Sequence, residues 1–152
     1  MGVLSNKEME ARYEIELENY ILKLQIESRT LGDIAQNHII PTAIKYQNIL
    51  IENVKGMKDV FGDELGDLAG TQLQILKDIS SHINGIKENL EAMLTERKKA
   101  NKLENSEKKA EAYCNSVKPY FSEVKYHSDK LELLIDDELW PLPKLRELLF
   151  TK

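Results

Sequence analysis

Apolar residues recur along this chain in alternating steps of three and four, the spacing that holds one face of an α-helix against its neighbours. Tyr13, Leu17, Tyr20, Leu24, Leu31, Ile34 and His38 form the first such stripe, interrupted only at Glu27. A second runs through Ala43, Gln47, Leu50, Val54, Met57 and Phe61. The third, Leu68 to Met93, takes in Gln72, Ile75, Ile79, Ile83, Ile86 and Leu90. The fourth reads Cys114, Val117, Tyr120, Val124, His127, Leu131 and Leu134. No stretch alternates with the period of two that a half-buried strand requires.

Local signals punctuate these stripes. Ser5 followed three residues later by Glu8 matches a capping box, which starts a helix near Asn6. Pro41 lacks an N–H and disfavours a helical Ile40 before it, so a break or kink is expected there. Gly62-Asp63 and Gly66 mark a turn, and Arg97, Lys98 and Lys99 suit a helix C-terminus. Residues 100–106 form the next connection, with Ser106 as a candidate cap. Pro119 lies inside the fourth stripe, where a proline in a regular helix costs about 3 kcal/mol. Asp136, Asp137 and Glu138 oppose a helix C-terminal dipole and therefore begin a new turn. Trp140-Pro141-Leu142-Pro143 is extended, and Leu145, Leu148 and Leu149 predict a short terminal helix. The expectation is an all-α fold, residues 1–152 forming a single helical domain. Its four main helical segments run up and down, with kinks near Pro41 and Pro119 and a short C-terminal helix.

Composition narrows the function. The chain has 152 residues, 41% of them hydrophobic, enough for a substantial core without disulfides or metals. A net charge of −5 argues against nucleic acid as the main partner. The single Cys114 rules out an internal disulfide and fits a reducing compartment. No membrane-length apolar run and no secretory leader is visible, and the expected location is cytoplasmic.

Catalytic motifs are not found. There is no Gly-rich phosphate loop and no zinc-spaced Cys/His cluster. Asp78 with His82, and Glu123 with His127, are spaced by four rather than the three of a di-iron Glu-x-x-His motif. If His38, His82 and His127 converged, they could bind a transition metal, although partly buried histidines packed within a bundle are the plainer reading. The Tyr13, Tyr20, Tyr113 and Tyr120 set is best read as core, the Arg97–Lys102 cations as a solvated face, and Asp136–Glu138 as a cap. Trp140 has the character of an anchor into a hydrophobic pocket, in this bundle or in another body. Trp140, Leu142, His38 and His127 are accordingly the candidate docking residues, with no catalytic, cofactor or metal residue assigned.

Three runs carry a family likeness. They are Arg12-Tyr13-Glu14-Ile15 with Leu17-Glu18-Asn19-Tyr20, then Asn37-His38-Ile39-Ile40-Pro41-Thr42-Ala43 with Tyr46-Gln47-Asn48, and Asp136 to Pro143. Lys98-Lys99-Ala100-Asn101-Lys102 and the stretch from Tyr126 to Glu132 add to it. Over nearly the whole chain, from Leu4 to Thr151, the sequence resembles the C-terminal region of type III glutamine synthetases. The resemblance implies a parent ligase that joins glutamate and ammonia through a γ-glutamyl phosphate, using ATP and Mg²⁺ bound in a preceding core. It also implies a double-ring homo-oligomer, with the catalytic domain of the same chain and neighbouring subunits as partners. No catalytic residue carries over, so this chain is expected to be an accessory or assembly domain, inactive alone. Two other readings of the residues stand beside it, a free-standing interaction module and a small metal-binding bundle on the three histidines.

Overall fold

The computed structural model describes residues 5–143. Helix α1 (Asn6–Ile34) begins as the capping box requires: the Ser5 hydroxyl accepts from the Glu8 N–H, and the Glu8 carboxylate accepts from the Ser5 N–H. Neither proline interrupts its helix. Between α1 and α2 (Ile40–Phe61) lies one π turn, Ala35–Ile39, in which the Ile40 N–H reaches back five residues to the Ala35 carbonyl. Asn37, whose carbonyl would meet the ring of Pro41 in a regular helix, is exposed and can be hydrated. The chain repeats the device at Pro119. A π turn at Tyr113–Val117 links α5 (Ser106–Ala112) to α6 (Pro119–Leu134), closed by Lys118 N–H to Tyr113 carbonyl at 2.9 Å, and Asn115 is exposed.

The expected four segments therefore reduce to three rods. The first runs from Asn6 through Phe61, roughly 80 Å of continuous helix. Gly62, with φ of 58°, ends it where a side chain would be strained. A 3₁₀ turn at Gly62–Glu64 and the short α3 (Leu65–Leu68) reverse the chain into the second rod, α4 (Gly70–Asn101). Asn105, rather than Ser106, caps the third rod, its side chain accepting from the Lys108 N–H at 2.9 Å. The Ser106 hydroxyl donates instead to Glu14 on α1.

Polar pairs show the rods to be antiparallel in sequence. Gln25 donates to Asn101 at 3.1 Å, Gln47 to Ser80 at 2.8 Å and Gln72 to Asn53 at 3.3 Å, so α4 descends as the first rod climbs. Asn101 also accepts from the Tyr113 hydroxyl, which ties all three rods together at one end. Two apolar clusters fill the interior. At the Asn101 end lie Ile21, Leu24, Met93, Ala100, Ala110, Tyr113 and Val117. Toward the other end Ala35, Ile39, Ala43 and Leu50 meet Ile79, Ile86, Val124 and Leu131. Leu90 touches both.

After α6 the three acids form the expected turn. Asp136 accepts from the Glu138 N–H through its carboxylate at 2.8 Å, and its carbonyl takes the Leu139 and Trp140 N–H groups. The expected terminal helix at Leu145, Leu148 and Leu149 falls outside the described residues.

Candidate functional site

The four candidate docking residues occupy different settings. Trp140 is buried, its ring joining Ile135 against the Ala43, Leu50 and Ile79 core, and Leu142 packs on the same cluster. The pocket that receives the tryptophan thus belongs to this bundle. His38 is exposed in the first π turn, correcting its place on the inward stripe; Ile39 is buried beside it. His127, half-buried on α6, meets His82 of α4 with their Nδ1 atoms 3.0 Å apart.

This histidine pair is the most chemically loaded contact among the described residues. The ring centroids stand 5.3 Å apart, so the two nitrogens face one another nearly head-on. Such geometry suits one N–H donating to one bare nitrogen, and two protonated rings at that distance would repel. Tyr126 stacks edge-on to both rings, and Lys130 lies over its face. Burial, then the neighbouring His127, holds His82 below the ordinary histidine value; Asp78 opposes this and Lys130 adds to it. Gly85, one turn along α4 from His82, makes room for the pair, because a Cβ there would lie 2.4 Å from His127 Cε1 and Nε2. No group of three or more His, Cys, Asp or Glu among the described residues is arranged to hold a metal ion.

Two predictions arise here. His82 is depressed in the folded state relative to about 6.5 in an open chain. Its contribution is therefore complete above that value and is lost as pH falls below it. Melting curves between pH 8 and pH 5 should show the midpoint dropping through this window, and His82→Gln should flatten that part of the profile. An unchanged profile in the variant would remove His82 as the cause. Gly85→Ala supplies the second. In an open helix this exchange stabilises by up to about 1 kcal/mol. Here it should lower the melting temperature, because the new methyl displaces the His127 ring. A rise would show that the pair is not held as described.

Elsewhere one hollow lies along α1 beside Tyr13, Tyr20 and Cys114, and two more follow further along the same helix. One, of about 230 Å³, lies toward α4 beside Arg29, Gln36 and Arg97. Lys98, Lys99 and Lys102 are exposed as a solvated face requires, whereas Arg97 turns inward and its Nε is buried with no acceptor among the described residues. One water would satisfy it. The other hollow, of about 500 Å³, is an apolar groove between α1 and α6, lined by Ile26, Leu31 and Ile34 on the first and Phe121 on the second. Ile26, Thr30 and Phe121 lie off the apolar stripes, so the spacing of the sequence does not reveal this groove.

No helix among the described residues is long and apolar enough to cross a membrane. Three helical rods around an apolar interior define an all-helical protein of the bundle class. The model of the glutamine synthetase C-terminal domain family matches residues 1–58, which is the first rod nearly to its end. A glutamine synthetase of Bacteroides fragilis (strain YCH46) is 47% identical over 151 residues, 99% of this chain and 21% of that protein. A type-3 glutamine synthetase of Dictyostelium discoideum is 30% identical over 153 residues, again 99% of this chain and 21% of the relative. A glutamine synthetase of Butyrivibrio fibrisolvens is 25% identical over 150 residues, with the same shares. The chain belongs to the glutamine synthetase family as its C-terminal domain, and the Dictyostelium relative supports the type III branch. It spans about a fifth of the length of the curated relatives it matches.

Proposed function

We propose that this chain is the accessory and assembly domain of a type III glutamine synthetase, a cytoplasmic ligase that forms L-glutamine from L-glutamate, ammonia and ATP. The observation that carries the reading is the match itself: 99% of this chain corresponds to only 21% of each relative. ATP and Mg²⁺ act in the remaining part of such an enzyme, which must gather positive charge and metal around a developing phosphate. A chain of net charge −5 that places no metal cluster among its described residues contributes stiffness and surface instead. Its partners are the catalytic domain of the same polypeptide and neighbouring subunits of a ring-shaped homo-oligomer. His38, exposed on the first rod, is available to such a neighbour. Trp140 and Leu142 serve the docking of the chain's own C-terminal segment. The free Cys114 accords with a reducing cytoplasm.

An immunoblot of source cells with an antibody raised against this chain tests the reading. A band several-fold heavier than 17.5 kDa supports it, and removing the domain from that enzyme should then impair assembly. A band at 17.5 kDa would replace it with the free-standing interaction module.

A further inference from the structure

We propose that the groove between α1 and α6 seats a fourth helix, supplied by the remainder of the enzyme, which closes the three rods into a four-helix bundle. This rests on the accessory-domain reading above. Helix α1 has two apolar edges. The inner one buries Ile21 and Leu24, as a packed seam should. The outer edge carries Ile15, Leu22 and Ile26, which are 56%, 53% and 55% exposed. Their spacing of seven and then four is itself a heptad pattern, so this edge is built to meet a helix. It leads directly into the groove, where Ile26 and Thr30 form one wall and Phe121 the other. Leu31 and Ile34 at its floor lie against the cluster of Ile39 and Ile79, and Phe121 against the cluster at the Asn101 end. A helix laid there would thus pack on the back of the existing interior.

From Ile15 to Ile34 the edge is roughly 28 Å long, about five helical turns. Glu18 and Asn19 interrupt the edge between Ile15 and Leu22, but from Leu22 onward exposed apolar side chains feed a groove, and such a patch marks a contact surface. Its rims carry opposite charges, Glu27 on α1, 3.9 Å from Lys23, and Lys125 on α6. The occupant should therefore be amphipathic, with an aliphatic ridge at intervals of three and four flanked by a base toward Glu27 and an acid toward Lys125. About four-fifths of each relative lies outside the matched region, and a helix joined to the same polypeptide binds at high effective concentration. A second copy of this chain brings another −5 of charge and is the poorer occupant.

Thiol labelling decides the matter. In a Cys114→Ser background, Ile26→Cys is placed both in the isolated chain and in the full-length enzyme that contains it. Maleimide rates are normalised to those in denaturant. The expected result is labelling at least tenfold slower in the full-length enzyme. Equal rates in an assembled, active enzyme would overturn the groove assignment while the accessory-domain reading stands. Protection of the isolated chain that grows with concentration would assign the groove to a second copy. Protection at every concentration would assign it to the chain's own terminal residues. Either result overturns the proposal, and if no longer species exists the accessory-domain reading falls with it.

Discussion

Leu24→Asp should destabilise the domain by at least about 3 kcal/mol, the largest loss expected from any single change in the first rod. Leu24 is 2% exposed and sits between Ile21 on its own helix and the Met93, Tyr113 and Val117 side chains of the other rods. Shortening it removes the apolar area that holds three elements together. The carboxylate that replaces it enters a cluster of apolar side chains, so it stays protonated or draws in water at the expense of the packing. For a chain of this size the loss corresponds to a fall of roughly 6–12 °C in melting temperature. The deficit should shrink at low pH, where the carboxyl is neutral. Unchanged thermal stability would show that this seam is not buried. Substitution at the exposed Leu22, two residues away, should cost little in the isolated chain and serves as the control.

Trp140→Ala comes next, with an expected loss of about 3 kcal/mol, at the low end for a buried tryptophan because its segment is not helical. The residue is 8% exposed and fastens residues 136–143 to the bundle, as part of the apolar cluster that includes Leu50 and Ile79. The Asp136 turn positions it, since the Asp136 carbonyl accepts the Trp140 N–H at 3.1 Å. As the only tryptophan, it reports on itself. In the isolated chain its emission should be blue-shifted and poorly quenched by acrylamide. Full quenching would mean that the pocket lies in another body. Trp140→Phe should recover much of the loss, because most of the apolar contact survives.

These two sites illustrate how far the residues alone can be read. The capping box at Ser5 and Glu8, the turn at Gly62 and the seam positions Leu24, Ile79, Ile86, Met93, Val124 and Leu131 follow from spacing, and each is found where the pattern puts it. Such signals are local, because a cap or a heptad acts within one or two turns. Tyr13, Phe61 and Leu68, placed on the stripes, are exposed with no π turn beside them, whereas the misplacements at His38 and Cys114 share one cause. The inward stripe was drawn through His38 and Cys114 in regular helical steps, yet both are exposed while Ile39 and Tyr113 are buried. Each pair lies in a π turn, which takes in one residue more than an α turn and shifts the inward face by about one position. A proline in a sequence announces an interruption. It does not say whether the helix will break or absorb the fault.

The sequence by itself determined that the fold is all-helical, where its first helix starts, which faces are apolar and to which family it belongs. Those properties reside in propensity, period and motif, none of which needs a partner across space. The tertiary structure decided that four apparent segments form three rods, because only packing along both halves of a rod makes a π turn cheaper than a break. It also decided that Trp140 returns to its own bundle, and that His82 and His127, forty-five residues apart, come within 3.0 Å of each other. Side chains on separate helices meet according to the register of the rods. That register is set by the whole interior at once, and no window of sequence contains it.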